Sequence, residues 1–129
     1  MRFVHQVSAC LRLVAVALAA ASLVACATAE PLPNYRNVVV SADRTDSDRA
    51  IDQRRDPEKL LEFYGVRPGM RVLDMSTGRG YNTELLARVV GPTGRVYAQN
   101  SPALTPAAAN SAIAERLKTP AMALSLIHI

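Results

Sequence analysis

The spacing of apolar positions changes along this chain, and each change marks an element. Leu13 to Ala25 is an apolar run without a charge. Around residue 70 the apolar run is short: Arg71-Val72-Leu73 ends in Asp74, the pattern of a buried strand closed by an acid. A loop of small residues follows, Ser76-Thr77-Gly78-Arg79-Gly80. From Tyr81 to Val90 the spacing lengthens. Leu85, Leu86, Val89 and Val90 fall at i, i+1, i+4 and i+5, giving one apolar helical face. Gly91-Pro92-Thr93-Gly94 reads as a turn, and Arg95 to Gln99 as a second strand. Strand, loop, helix and strand predict a βαβ unit with parallel strands and a right-handed crossover.

The flanks extend this α/β pattern. Asp56-Pro57-Glu58 predicts a helix start, with Asp56 as N-cap and Pro57 in the first turn. Leu60, Leu61 and Tyr64 continue one face, and Gly65 is a natural C-cap. Thr105-Pro106 predicts the start of a third helix, with a narrow stripe of Ala109, Ile113 and Leu117, ended by Thr119-Pro120. Asp43 to Asp56 carries dense charge of both signs, the pattern of a solvated helix or loop; substrate contact by Arg54 or Arg55 is the alternative. Glu30 to Ser41, with Pro31 and Pro33, reads as a tether or lead-in, in which Val38-Val39-Val40 forms an edge strand or a packing segment.

The chemistry concentrates at the loop. A strand end followed by a glycine loop and a helix N-terminus exposes backbone N–H groups where α/β folds bind nucleotide-like ligands. Gly78 and Gly80 permit a left-handed backbone and the close approach of a ligand. Asp74 can accept hydrogen bonds or face a cation. Asn100 lies 20 positions after Gly80, where an acid would hold a ribose diol. It can accept through Oδ1, or it can simply form a turn before Ser101-Pro102. A bare strand-to-helix turn, with glycine for geometry alone, is the alternative for the loop as a whole.

The stretch VLDMSTGRGYNTELLARVVGPTGRVYAQN resembles the first half of a class I S-adenosylmethionine-dependent methyltransferase, and most of all exported bacterial types with a GYNTELLA helix start. The resemblance covers roughly residues 52–120. Asp74, Gly78 and Gly80 match the family's first motif; Ser76 stands where the first glycine is usual, and Asn100 where the ribose-binding acid is usual. The resemblance implies a partial Rossmann-like α/β fold, a helix and then β-α-β-α, truncated before the later strands. It implies S-adenosylmethionine as the cofactor, held by Asp74, Met75, Ser76, Thr77, Gly78, Gly80 and Asn100. The methyl acceptor and the catalytic residues stay unknown, because acceptor-binding groups are expected after the third helix. Two strands and three helices leave part of a parallel sheet bare, so this chain alone is expected to be marginally stable and inactive. Two alternatives remain. One is a non-catalytic, lipid-anchored envelope protein on a decayed methyltransferase fold. The other is a nicotinamide-dependent oxidoreductase, whose fingerprint needs Gly or Ala at position 83, where this chain has Thr83.

The ends carry separate signals. Arg2 and Arg12 mark a basic start ahead of the apolar run, which has signal-peptide length and is shorter than a spanning helix. Leu23-Val24-Ala25-Cys26 resembles a bacterial lipobox, which implies a lipid on Cys26, membrane attachment, and a cell-envelope location in the periplasm or outer membrane. Plain secretion after Ala27-Thr28-Ala29 and an uncleaved anchor are the alternatives. The division expected is a leader at 1–26, a tether at 27–42, the partial domain at 43–123 and a tail at 124–129. The tail, LSLIHI, resembles the in-frame translation of a transposase end used in sequencing libraries, so it is expected to be non-native read-through; an ordinary apolar strand is the alternative. Both cysteines lie in the leader, and no histidine lies between His5 and His128, which leaves no disulfide, no Ser-His-Asp triad and no Cys- or His-based metal site for the domain. The net charge of +4 falls to +2 without Arg2 and Arg12, which is no footprint for nucleic acid.

Overall fold

The computed structural model describes residues 31–123 and 126–128. The chain divides into two units, at Met1–Pro31 and Leu32–Ile129. The leader, Cys26 and the start of the tail lie outside the described residues. In order, the second unit contains α1 (Arg36–Val39), α2 (Asp46–Arg55), α3 (Pro57–Tyr64), β1 (Arg71–Met75), α4 (Tyr81–Val90), β2 (Arg95–Gln99), α5 (Ala107–Arg116), α6 (Pro120–Ala123) and β3 (Leu126–His128). All strand pairings are parallel, in the order β1-β2-β3, with Arg71 opposite Arg95, Asp74 opposite Ala98 and Val96 opposite Leu126. Helix α4 and β2 have the boundaries expected, and β1 runs one residue beyond Asp74, to Met75.

One face of the sheet is covered. Val96 and Ala98 are buried and point toward α4, whose Leu85, Leu86, Val89 and Val90 are all buried. Leu61 of α3, Val66 and Tyr35 join this core. The alternate residues of β1 face the other way, and there Leu73 is 55% and Met75 69% exposed. The two-faced coverage that a parallel sheet requires is therefore half complete among the described residues.

The structure corrects several expectations. The segment expected as a tether enters the domain: Tyr35 is 3% exposed and donates its hydroxyl to the Val66 carbonyl at 2.7 Å. Val38 and Val39 pack against the core from a single helical turn while Val40 is exposed, so of the two readings the packing segment holds for Val38 and Val39 and the edge strand does not form. Asp56 does not cap α3 with its side chain. Its backbone is left-handed, with φ of 45°, and its carboxylate binds Lys59 at 2.6 Å instead. Helix α5 starts one residue later than expected, after Pro106, and it ends at Arg116 with Leu117 as its C-cap, so Thr119-Pro120 does not end it and Pro120 instead opens α6. Leu126–His128 pairs with β2 as a third strand. Backbone pairing along an open strand edge accepts any short apolar segment, so this pairing carries no information about the origin of the tail.

The largest correction concerns the charged run 43–56. Helix α2 forms there, with Thr45 Oγ1 accepting from the Asp48 N–H at 3.2 Å. It is not simply solvated, because Arg44 and Asp48 are buried. Arg116 of α5 donates two hydrogen bonds to Asp48, at 2.6 and 2.9 Å, and also binds Glu84 of α4. Glu84 accepts from Arg88 at 2.7 and 3.0 Å, and Arg88 grips Asp43 through two bonds of 2.9 Å. Nearby, Asp52 accepts from Arg44 at 2.6 and 2.8 Å and from the Tyr81 hydroxyl at 2.6 Å. The guanidinium of Arg55 lies 5.1 Å from the Tyr81 ring centroid and that of Arg44 5.8 Å.

Burial works against the charge on Asp48 and Asp52, but their arginine partners outweigh it and hold both carboxyls below the ordinary range. Asp43 is held low chiefly by its hydrogen bonds from Arg88. Carboxyls lowered on folding add stability that is present above their unfolded value, about pH 3.9, and lost as pH falls through the lower folded values. Acid unfolding of the chain is expected to begin below about pH 4 for this reason. Arg116→Ala should shrink the low-pH step by the share of Asp48, leaving those of Asp43 and Asp52, and should cost about 3 kcal/mol of stability, since it leaves Asp48 buried without its partner. Urea denaturation across pH checks this, and an unchanged midpoint in the variant contradicts it.

Candidate functional site

The loop expected to bind a ligand, Ser76–Gly80, joins the C-terminal end of β1 to the N-terminus of α4. Three anchors set its path. The Thr77 N–H donates to the Gln99 carbonyl at 3.1 Å, which ties the loop to the end of β2. The Gly80 N–H closes a turn onto the Thr77 carbonyl at 3.0 Å. The Gly78 N–H donates to Asn100 Oδ1 at 2.9 Å. Ser76, in the place of a usual glycine, takes a left-handed backbone with φ of 58°. For a residue with a Cβ this conformation costs on the order of 1–2 kcal/mol.

The two glycines serve different purposes. A Cβ on Gly78 would meet nothing within 4 Å, so this side of the loop is open. A Cβ on Gly80 would stand 3.1 Å from Arg116 Cδ and 3.2 Å from Ile113 Cγ1. Gly80 therefore admits α5 to the loop, and only Gly78 leaves room for a ligand. Arg116 Nε also donates to the Arg79 carbonyl at 3.2 Å, so the loop and the buried ion pairs share one arginine.

Asp74 is half-buried at the end of β1 and accepts a short hydrogen bond from the Thr83 hydroxyl on Oδ2. Burial pushes its pKa above the ordinary carboxylate value, and the Thr83 hydroxyl opposes that push. Met75 beside it is exposed. A groove of about 510 Å³ includes Asp74, Met75, Asn82 and Leu86 in its lining. It takes consecutive residues of β1, from both of its faces, and so lies along the strand's unpaired edge. Asp74, Met75, Ser76, Thr77, Gly78 and Gly80 are thus contiguous at one corner of the sheet. Asn100 joins them, but turned inward: its amide holds the Gly78 peptide and reaches Asn110 at 3.1 Å.

Three contributors escaped the sequence reading: Thr83, Asn110 and Arg116. Thr83 had a signal. It lies in the first turn of α4, in helical phase with Leu86 and Val90, so its side chain belongs on the face that meets the sheet. Asn110 and Arg116 had none, because their partners are 10 to 68 residues away in sequence. Arg54 and Arg55, the alternative substrate contacts, end α2; Arg55 stacks on Tyr81 and reaches Asn82 Oδ1 at 3.4 Å. Thr83, fully buried against Asp74, occupies the position that a nicotinamide fingerprint reserves for Gly or Ala.

The site has features that fit a small polar cofactor. The Thr77 hydroxyl is buried without a hydrogen-bond partner, and the space above Gly78 is open. Asp74 has its second carboxylate oxygen left for a cationic or N–H donor. Substitutions should separate the two glycines. Gly80→Ala should lower stability by about 1–3 kcal/mol through overpacking. Gly78→Ala should cost only its left-handed backbone strain, about 1 kcal/mol. Equal urea midpoints for the two variants would contradict this division.

Residues 32–122 match the family model of protein-L-isoaspartate(D-aspartate) O-methyltransferase (PCMT). A protein-L-isoaspartate O-methyltransferase of Methanothermobacter thermautotrophicus is 42% identical over 38 residues, which is 30% of this chain and 18% of that protein. A ubiquinone/menaquinone biosynthesis C-methyltransferase of Ectopseudomonas mendocina is 56% identical over 36 residues, 28% of this chain and 14% of that protein. A crystal structure of a SAM-dependent methyltransferase from Aquifex aeolicus superposes with a TM-score of 0.48 and 28% identity, over 67% of this chain and 47% of that one. The matched stretches span less than a fifth of these curated relatives. With the family match running from Leu32 to Met122, the chain belongs to the protein-L-isoaspartate(D-aspartate) O-methyltransferase family, within the class I S-adenosylmethionine-dependent methyltransferases.

Proposed function

We propose that the whole protein transfers a methyl group from S-adenosylmethionine to an oxygen of a carboxylate acceptor. The observation that carries this reading is the corner formed by Asp74 and the Ser76–Gly80 loop, within a family match over residues 32–122. The acceptor class follows the family's name alone. When bound, S-adenosylmethionine supplies the electrophilic methyl group on a sulfonium. Asp74 would hold its amino group through the free carboxylate oxygen, and the open side of Gly78 and the orphaned Thr77 hydroxyl would face its methionine portion. The protein's contribution is to fix the orientation of the reacting groups, which by itself can supply several kcal/mol of the barrier.

Thr83 supports this role because its hydroxyl opposes the upward push of burial on the Asp74 carboxyl. The working carboxylate is present when pH exceeds its folded pKa. Removing the hydroxyl raises that pKa and shifts the binding profile to higher pH. Calorimetry with S-adenosylhomocysteine tests the reading. Saturable binding to the chain is expected at millimolar ligand. Asp74→Asn should weaken it about tenfold, the loss of one hydrogen bond to a charged group. Thr83→Val should weaken it more at pH 5 than at pH 8. A folded chain that binds no S-adenosylhomocysteine at these concentrations favours the non-catalytic envelope protein.

We also propose that the protein is of the exported bacterial type and carries a lipid on Cys26. The charged start, the apolar run and the Leu23-Val24-Ala25-Cys26 sequence support this. Metabolic labelling with a fatty-acid analogue should mark the wild type and not Cys26→Ser. Equal labelling of both would contradict lipidation.

A further inference from the structure

We propose that Asn100 and Asn110 are positioning residues that clamp the backbone on both sides of Gly78, so that residue 100 acts on a bound ligand through the loop. The clamp stands on geometry alone; its effect on affinity rests on the cofactor reading above. Asn100 closes β2 and is 8% exposed. Its Oδ1 accepts from the Gly78 N–H at 2.9 Å, and its Nδ2 donates to the Gly78 carbonyl at 3.1 Å. The same Nδ2 donates to Asn110 Oδ1 on α5 at 3.1 Å. An amide nitrogen has two hydrogens, so both donors of Asn100 are committed.

The direction of each bond is chemically fixed. A peptide N–H only donates and a peptide carbonyl only accepts, so Gly78 dictates which end of the Asn100 amide faces which atom. Position 100 therefore needs an acceptor and a donor on one planar group. A carboxylate there would keep one oxygen for the Gly78 N–H but set the other, in the place of Nδ2, against both the Gly78 carbonyl and Asn110 Oδ1. Position 110 needs only an acceptor. The two positions thus have opposite tolerance for an acid.

The clamp matters because the loop has reason to relax. Ser76, two residues earlier, holds a left-handed backbone that a residue with a Cβ disfavours. Gly78 carries the open side of the site, so the plane of its peptide sets where the neighbouring N–H groups point. Helix α5 supplies both the clamp, through Asn110, and the packing behind Gly80, through Ile113 and Arg116. The loop is thereby held from behind, and its front is left free.

Three variants of the 129-residue chain test this: Asn100→Asp, Asn110→Asp and Asn110→Ala. Two readouts apply: hydrogen exchange of the Gly78 amide by NMR, which needs no ligand, and calorimetric affinity for S-adenosylhomocysteine. Asn110→Asp retains the acceptor and should leave both within about twofold of wild type. Asn110→Ala should speed Gly78 exchange severalfold and weaken binding. Asn100→Asp should speed exchange most and weaken binding about tenfold, as expected for hydrogen bonds lost and an acceptor pair opposed. A direct ribose contact at position 100 predicts the reverse, since an acid accepts from both hydroxyls of a diol. Tighter binding by Asn100→Asp with Gly78 still protected overturns the proposal. So does an Asn110→Ala variant whose Gly78 exchange equals that of wild type. If no variant binds S-adenosylhomocysteine, the methyl-transfer reading fails, and the Gly78 exchange still decides the clamp.

Discussion

Arg116 is the interaction on which the arrangement of the helices depends. One guanidinium binds Asp48 near the start of α2, Glu84 in the first turn of α4 and the Arg79 carbonyl in the loop. Through Glu84 it continues to Arg88 and Asp43. Five charged side chains thereby join segments that share little apolar surface. Buried ion pairs add modest net stability against an apolar alternative, because desolvation offsets their attraction. Their geometry is nevertheless demanding, since an unpaired member is costly. The network therefore specifies where α2 and α5 sit on α4 more than it strengthens the fold, and it does so at the helix that begins at the functional loop.

The loop inherits its shape from this packing. Gly80 is small so that α5 can approach it, and α5 then brings Asn110 within reach of Asn100. The sheet provides the opposite support, since Thr77 is bonded to the end of β2 and Asp74 to the first turn of α4. The result is a rigid backing with an open side at Gly78. The bare face of β1, where Leu73 and Met75 meet solvent, stands next to it.

The βαβ core was legible in the sequence because its signals are local. A short apolar run closed by Asp74 gave β1, the segment after the Gly91-Pro92-Thr93-Gly94 turn gave β2, a helical spacing of Leu85, Leu86, Val89 and Val90 gave α4, and the glycines marked the loop between. The charged run 43–56 was misread because ion pairing across 32 to 68 residues leaves no local pattern. Helix α1 was left open between an edge strand and a packing segment for a related reason. Val38-Val39-Val40 has no helical preference, and the turn holds because Tyr35 is anchored to Val66, 31 residues on. At the site, residue identities pointed to Asp74, Gly78 and Asn100, but not to their directions. Asn100 looked like a ligand contact by position and turned out to face the loop backbone. Only the fold tells which side of a residue is already occupied.

The central claim is that the Ser76–Gly80 loop, with Asp74, is the cofactor corner of a methyltransferase. Titrating S-adenosylhomocysteine into the isotope-labelled chain, and following backbone amides by NMR, tests it most directly. Saturable shifts concentrated on Asp74 to Gly80, with little change along α2, are the expected result. A folded chain whose amides do not shift at millimolar ligand, or shift only around the Asp48–Arg116 network, would contradict the account.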